Sequence, residues 1–172
     1  MISTLKLLVG GDGAVGKTSL LKRYVDDEFS AILPMTIGVS FFKKTEIVND
    51  TECVMAIWDL AGQERFRFLS ESYTKGAVGG LLLFDLLNYE TTKNLQWWVE
   101  LLRFSDPNLP LLLIGTKMDL VTLDTNTITD EEALELMGKL GCFNYLKTSS
   151  KLGLGVTEAF QMVCERVMNS IR

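Results

Sequence analysis

The chain has 172 residues, which fits one domain (1–172) with a sizeable core, and carries a net charge of −5 with no histidine. The acidic balance argues against a nucleic-acid partner, and the missing histidine excludes a histidine base or metal ligand. Three scattered cysteines without a CxxC pair favour reduced thiols in a cytoplasmic protein. The sequence shows neither a secretory pattern nor an apolar run that would span a bilayer.

Short apolar runs alternate with amphipathic stretches along the chain. Strands are predicted at residues 4–10, 39–48, 52–60, 80–85, 111–115 and 143–147, with a turn at Asn49-Asp50. Helices are predicted at 17–26, 65–75, 91–104, 131–140 and from about 155 onward. Thr129 and Glu132 form a capping box, and Gly141 stops that helix. The alternation predicts an α/β fold with a mostly parallel sheet covered on both faces.

Helical periodicity also predicts which side chains are buried. In the last helix, i, i+3, i+4 spacing joins Val156, Ala159, Phe160, Val163, Cys164, Val167 and Ile171. Trp98 falls on the apolar side of its helix with Leu95 and Leu102, so we expect it in the core. Trp97 lies off that stripe and is assigned no role.

The first chemical motif is Gly11-Asp12-Gly13-Ala14-Val15-Gly16-Lys17-Thr18, a GxxxxGK[ST] loop between a predicted strand and helix. Glycines let backbone N–H groups wrap around phosphate, and the following helix adds its positive dipole end. Lys17 places a cation at the β- and γ-phosphates, and the Thr18 hydroxyl binds Mg²⁺. The alternative is a glycine-rich turn that carries Lys-Thr by chance. The loop alone predicts a nucleoside triphosphate but not its base.

Two further motifs follow predicted strands. In Trp58-Asp59-Leu60-Ala61-Gly62-Gln63-Glu64, Asp59 is placed to hold hydrated Mg²⁺, the Gly62 N–H to reach the γ-phosphate, and Gln63 to orient the attacking water. For Gln63 the alternative is a solvated turn residue.

In Thr116-Lys117-Met118-Asp119, the Asp119 carboxylate suits the N1–H and 2-amino donors of guanine. Adenine would leave it unpaired, at a cost of a few kcal/mol.

These motifs, in this order and spacing, resemble those of the Ras superfamily of small GTPases over essentially the whole chain. The resemblance implies a P-loop NTPase G domain, whose six-stranded, mostly parallel sheet has an antiparallel second strand and about five flanking helices. It implies GTP or GDP bound with Mg²⁺, slow GTP hydrolysis, and switch segments that control effector binding. An exchange factor and a GTPase-activating protein are expected partners. We expect a monomer.

The resemblance also assigns site residues. Thr36 resembles the threonine of switch I that binds Mg²⁺ and the γ-phosphate, and Phe29 the aromatic residue that stacks on guanine. Ser19 would donate its N–H to the α-phosphate, and the Ser150 N–H would reach the guanine oxygen within the loop Lys147-Thr148-Ser149-Ser150-Lys151. A side chain at Gly13 would crowd Gln63 and the γ-phosphate. The implied catalytic residues are Lys17, Thr36 and Gln63.

Within the superfamily the chain is most similar to the Rab branch, through Thr36-Ile37-Gly38-Val39-Ser40-Phe41, the segment from Trp58 to Arg67, and Tyr73-Thr74-Lys75-Gly76-Ala77. Phe41, Trp58 and Tyr73 match the aromatic triad that contacts Rab effectors; ordinary core packing is the alternative. The Rab likeness makes vesicle traffic the expected pathway, at the cytosolic face of membranes or in the cytoplasm.

Three departures from the family pattern stand out. Thr116 replaces the usual asparagine, as in Rho-like members; its hydroxyl still suits the phosphate loop, but one amide donor is lost. Leu33 replaces a common tyrosine, which predicts a looser switch I. The printed sequence shows no CaaX box, double cysteine or polybasic tail, so an anchor in further residues, attachment through a partner, and no attachment all stay open.

Two other functions fit the motifs less well. Against a nucleotide-dependent interaction module without hydrolysis stands the intact set of residues for binding and hydrolysis, Lys17, Thr18, Thr36, Asp59 and Gln63. A small phosphoryl-transferring kinase would need an arginine-rich second site and a lid, and the second and third motifs are foreign to that class. No arginine occupies a position that the motifs identify as a catalytic finger.

Overall fold

The computed structural model describes residues 2–62 and 71–171 as one sheet with helices on both faces. The strands are β1 (Ile2–Gly10), β2 (Val39–Val48), β3 (Thr51–Leu60), β4 (Gly79–Asp85), β5 (Leu111–Thr116) and β6 (Asn144–Lys147). The helices are α1 (Lys17–Asp26), α2 (Leu95–Leu102), α3 (Asp130–Leu140) and α4 (Val156–Ile171). The strand order is β2-β3-β1-β4-β5-β6, with β2 antiparallel to β3 and the other neighbours parallel. The predicted α/β sheet is confirmed.

The burial patterns of the strands match their positions in the sheet. Every residue of β4 and β5 is buried, as the continuous apolar runs predict for central parallel strands. Strand β2 lies at the edge and alternates exposed with half-buried positions. It joins β3 through Asn49 and Asp50, whose φ values of 50° and 59° give the left-handed turn that matches hairpin twist.

Two apolar clusters form the core, one on each face of the sheet. On the first face lie α1 and α4, where the rings of Tyr24 and Phe160 stack with centroids 3.9 Å apart. On the second face lie α2 and α3, with Trp98 fully buried. The predicted α4 stripe is confirmed from Val156 to Val167, whose members are at most 3% exposed; the Ile171 side chain lies outside the described part.

The helix predictions differ from the structure in two places. Helix α2 begins at Leu95 rather than at residue 91, because Tyr89–Thr92 forms a separate 3₁₀ turn. The Thr91 hydroxyl donates to the Asn88 carbonyl at 2.7 Å and accepts from the Asp85 N–H at 3.0 Å, which ties this turn to the end of β4. Of the helix predicted at 65–75, Glu71–Tyr73 is a 3₁₀ turn, and residues 63–70 lie outside the described residues.

The predicted start and end of α3 are confirmed. Glu132 N–H donates to the Thr129 hydroxyl at 3.2 Å, and Thr129 N–H donates back to Glu132 Oε2 at 2.8 Å. Gly141 ends the helix with a φ of 63°. Within residues 2–62 and 71–171, no helix has both the length and the apolar content to cross a membrane.

Candidate nucleotide site

The loops at the carboxyl ends of the parallel strands enclose a cavity of about 730 Å³. That volume is typical of small-molecule sites. The predicted site residues that line it are Gly13, Ala14, Gly16, Lys17, Thr18, Ser19, Phe29, Thr36, Gly62, Thr116, Lys117, Asp119, Ser150 and Lys151. Leu33 also lines it. Five further predicted residues do not line the cavity but form hydrogen bonds with residues that do: Gly11, Asp12, Val15, Asp59 and Ser149. Gln63 lies outside the described residues.

The phosphate loop has the backbone that its glycines predict. Gly11 has a φ of 144°, and a Cβ there would lie 2.5 Å from the Leu83 carbonyl oxygen. Gly16 has a φ of 98° and precedes α1, in which the Leu20 N–H donates to the Gly16 carbonyl. The N–H groups of Lys17, Thr18 and Ser19 therefore belong to the open first turn, where an anion is favoured.

Lys17 lies at the mouth of this loop and is 6% exposed. Its ammonium donates to the carbonyl oxygens of Gly11 at 2.7 Å and Asp12 at 3.0 Å. The backbone of Gly62 approaches the same place, since a Cβ on Gly62 would lie 2.5 Å from the Gly13 nitrogen and 2.6 Å from Lys17 Nζ. Only glycine fits there. A Cβ on Gly13 would meet no described atom within 4 Å, so the crowding of Gln63 stays a prediction.

Three oxygen-bearing side chains converge beside Lys17. The Thr18 hydroxyl lies 2.7 Å from the Thr36 hydroxyl and donates to Asp59 Oδ2 at 2.5 Å. Asp59 is fully buried, and its Oδ1 has no hydrogen-bond partner among the described residues. Burial raises the pKa of this carboxyl, against the opposing effects of the Thr18 hydrogen bond and the Lys17 charge. An unpaired buried carboxylate oxygen beside two hydroxyls fits Mg²⁺, which prefers oxygen ligands.

The other end of the cavity holds the predicted guanine-binding residues. Asp119 Oδ1 accepts from the Ser149 hydroxyl at 2.7 Å, and the Ser149 Oγ accepts from the Leu152 N–H at 3.0 Å. These bonds fix the direction of the Asp119 carboxylate. Phe29, the aromatic residue that the resemblance assigns to stacking on guanine, lines the cavity and is 39% exposed.

Thr116 and Lys117 connect the guanine end to the phosphate loop. The Thr116 hydroxyl lies 2.6 Å from the Val15 carbonyl oxygen and 3.0 Å from that of Phe84, so it bonds the loop as predicted. Lys117 has a φ of 64° and donates to the Ala14 carbonyl at 2.9 Å and to Asp85 Oδ2 at 2.6 Å. The pair with Asp85 holds the Lys117 side chain along the wall of the cavity.

Sequence reasoning missed several residues that support this site. Asp85 is the last residue of the buried strand β4, and a carboxylate at the carboxyl end of a parallel strand was the signal that could have identified it. Asn94 and Trp98 both donate to the Asp12 carboxylate, at 2.8 and 2.9 Å. Trp98 is buried as predicted, but its indole N–H has a polar role that periodicity does not reveal. Trp97 is half-buried.

Within the predicted effector surface, Trp58 contacts both of the other aromatic residues, Phe41 and Tyr73. Phe41 and Trp58 meet edge to face with centroids 4.6 Å apart, and Trp58 and Tyr73 lie 5.4 Å apart. Phe41 is 62% exposed, whereas Trp58 and Tyr73 are half-buried and pack against the core. The Lys6 ammonium lies 3.5 Å from the Trp58 ring centroid, and burial lowers its pKa.

Comparison with known proteins agrees with this arrangement. Residues 6–169 match the model of the Ras family. The chain is 40% identical over 167 residues to the Ras-related protein RABA4a of Arabidopsis thaliana, covering 96% of this chain and 73% of that protein. It is 36% identical over 171 residues to the GTP-binding protein Rab-3D of Rattus norvegicus, with 96% and 77% covered. It is 35% identical over 171 residues to the Ras-related protein Rab-3A of Homo sapiens, with 96% and 76% covered.

Proposed function

Because this chain belongs to the Ras family of small GTPases, we propose that the cavity between the phosphate loop and Asp119 is where it binds guanine nucleotide. The protein is a molecular switch that binds GTP or GDP with Mg²⁺ and hydrolyses GTP to GDP and phosphate. What is proposed is the assignment of that activity to particular side chains. Every predicted nucleotide- or metal-binding residue within the described part lines this cavity or contacts a lining residue.

The roles follow from where the side chains lie. The open N–H groups at the start of α1 and the Lys17 ammonium bind the phosphates and stabilise charge that builds up on them during transfer. Thr18, Thr36 and, through water, Asp59 would hold Mg²⁺, whose positive charge would offset the negative charge of the phosphates. Gly62 brings a backbone N–H to the γ-phosphate end, and Gln63 orients the attacking water.

One observation carries the switch assignment, namely the contact between the Thr36 and Thr18 hydroxyls at 2.7 Å. Thr36 belongs to the segment between α1 and β2, in which Ile32, Met35 and Ile37 are 65% to 89% exposed. Through its hydroxyl, Thr36 attaches this segment to Thr18, which in turn donates to Asp59. A γ-phosphate and its Mg²⁺ would strengthen this attachment and their loss would weaken it, which couples hydrolysis to the surface that partners contact.

Single-turnover hydrolysis of bound GTP tests this function directly. We expect the wild-type chain to convert GTP slowly alone and about 10³–10⁵-fold faster with an activating protein that supplies an arginine. Gln63→Leu should bind GTP but lose the stimulated hydrolysis. Stimulated hydrolysis that persists in Gln63→Leu contradicts the role of Gln63. Wild-type GTP binding without any turnover would favour the alternative, a nucleotide-dependent interaction module.

The aromatic triad is the proposed effector surface. Phe41 presents an exposed ring next to the Thr36 segment, so a partner that contacts both would sense the bound nucleotide. We expect Phe41→Ala to bind nucleotide normally and to lose affinity for an effector of the GTP-bound state. The Rab relatives suggest an effector of vesicle traffic, a monomeric switch, and action in the cytoplasm or at the cytosolic face of membranes.

A further inference from the structure

We propose that Arg23 is a positioning residue that controls how fast guanine nucleotide dissociates. It does so by holding the guanine loop, defined as Ser149, Ser150 and Lys151, against the end of α1. The inference rests on the proposed function, because it takes the cavity to be the nucleotide site. Arg23 acts indirectly, since the described residues that line the cavity include Ser150 and Lys151 but not Arg23 itself.

The guanidinium of Arg23 donates to two successive carbonyls of the guanine loop. Its Nε donates to the Ser150 oxygen at 2.6 Å, and its Nη2 donates to the Lys151 oxygen at 2.8 Å. A planar fork that bonds two neighbouring carbonyls fixes the peptide between them in one orientation. The Ser150 backbone, whose N–H is assigned to the guanine oxygen, is thereby held in place.

The third nitrogen of the Arg23 guanidinium, Nη1, bonds to the segment that leads to Phe29. Arg23 Nη1 donates to the Asp27 carbonyl at 3.1 Å and to Asp27 Oδ1 at 3.0 Å. Asp27 caps α1 with a φ of 55°, and Phe29 lines the cavity two residues later. One side chain therefore ties both flanks of the guanine end together. The Asp27 side chain is 91% exposed, so its ion pair contributes little and the carbonyl bond matters more.

The rest of the guanine loop is anchored without Arg23. Ser149 exchanges two backbone hydrogen bonds with Leu154, at 3.0 and 3.1 Å. The loop half that precedes Ser150 thus stays in place when Arg23 is replaced, and the Ser150-Lys151 half loses its side-chain support. The contact lies at the guanine end and not at the γ-phosphate, so its loss should affect GDP and GTP equally and leave the hydrolysis of bound GTP unchanged.

Arg103 supplies a matched control on the far side of the sheet. Its Nε, Nη1 and Nη2 donate to the carbonyls of Leu109 at 3.1 Å, Leu140 at 3.1 Å and Gly141 at 2.8 Å. The chemistry and the number of backbone acceptors resemble those of Arg23, but none of these carbonyls lines the cavity. If Arg23 served stability alone, replacing it would lower stability without changing nucleotide dissociation, as expected for Arg103.

The test is to load the wild type, Arg23→Ala, Arg23→Lys, Arg103→Ala and Arg103→Lys with fluorescent GDP or a fluorescent non-hydrolysable GTP analogue, and to measure dissociation after adding excess GDP. Urea unfolding of each loaded protein reports stability. We expect Arg23→Ala to release both nucleotides about tenfold faster or more, as for lost charged hydrogen bonds. Arg23→Lys should fall between it and the wild type, because an ammonium replaces only part of the fork. Both Arg103 variants should lose stability but release nucleotide at the wild-type rate.

Three results would overturn the inference: wild-type dissociation from both Arg23 variants, equal acceleration by the matched Arg103 variants, or acceleration of only one nucleotide. If the alanine variants do not fold, the comparison of Arg23→Lys with Arg103→Lys decides by the same criteria. Single-turnover hydrolysis in Arg23→Ala should match the wild type, and a loss there also contradicts a role confined to the guanine end. A wild-type chain that binds neither nucleotide overturns the proposed function itself, which distinguishes the two failures.

Discussion

The indole N–H of Trp98 donates a hydrogen bond to Asp12 Oδ1 at 2.9 Å, which joins helix α2 to the phosphate loop. Asn94, at the start of the same helix, donates to Asp12 Oδ2 at 2.8 Å. The Asp12 carbonyl in turn accepts from the Lys17 ammonium. Helix α2 therefore fixes the residue whose backbone holds the phosphate-binding cation.

Trp98→Phe removes the indole donor and keeps an aromatic ring in the core. We expect it to lower the free energy of unfolding by about 1.5–3 kcal/mol, the usual size of a hydrogen bond to a charged group, with a further cost for lost volume. A double-mutant cycle with Asp12→Ala, followed by urea unfolding, separates the bond from the volume. Gln96→Ala, at an exposed position of α2, is the control. Strictly additive effects of Trp98→Phe and Asp12→Ala would contradict the bond's contribution.

Trp98 and Asp12 also show what the sequence could predict and what it could not. Periodicity placed Trp98 in the core, and the loop motif placed Asp12 at the phosphates, because both signals are local. Their contact depends on the angle at which α2 packs on β1 and β4, which no local pattern encodes. Lys17, Asp59 and Asp119 were predictable because parallel strands bring their carboxyl ends to one edge. Arg23 gave no such signal, since its acceptors are backbone carbonyls from a distant loop.

Asp119→Asn should change base preference. The carboxylate, oriented by the Ser149 hydroxyl, accepts from the N1–H and 2-amino groups of guanine, whereas an amide presents a donor to one of them. We expect GTP affinity to fall by a few kcal/mol and xanthine nucleotide, which carries an oxygen at position 2, to bind better than GTP. Competition of GTP and xanthosine triphosphate for the labelled site measures this. Unchanged GTP affinity in Asp119→Asn would count against the base assignment.

Thr116→Val should weaken nucleotide binding through the phosphate loop. The variant keeps the shape of this 3%-exposed side chain but removes the hydroxyl that lies within hydrogen-bonding distance of Val15 and Phe84. We expect GDP to dissociate about tenfold faster, as for one lost buried hydrogen bond. Stopped-flow release of fluorescent GDP measures it.

Thr148→Val is the matched control for that experiment. Thr148 is fully buried, and its hydroxyl has no hydrogen-bond partner among the described residues. Removing this hydroxyl should leave GDP dissociation unchanged. It should raise the free energy of unfolding by about 1 kcal/mol, because the folded protein no longer buries a polar group without a hydrogen-bond partner. If the two valine variants release GDP at the same rate, the Thr116 hydroxyl does not hold the phosphate loop.

The buried thiols predict how stability depends on alkaline pH. Burial raises the pKa of Cys142 to about 11 and that of Cys164 to about 12, from an ordinary value of 9.0. At a pH between the ordinary value and the raised values, the unfolded chain has lost thiol protons that the folded chain keeps. The free energy of unfolding should therefore fall as pH rises above about 9. Burial also raises the pKa of the Tyr24 and Tyr145 hydroxyls, which extends the fall to higher pH. Urea unfolding between about pH 8 and 10 measures this slope.

Replacing Cys142 and Cys164 with alanine should make the slope between about pH 9 and 10 shallower, with Cys53, whose pKa burial also raises, still contributing to it. Lost packing lowers the free energy of unfolding of this double variant at every pH. The same shift makes the native thiols poor nucleophiles, since the thiolate is the reactive form. Iodoacetamide at pH 8 should therefore label both cysteines slowly in the folded protein and rapidly in urea. Equal labelling rates in the two states, or a slope that the double variant does not change, would show that these thiols are not held protonated by the core.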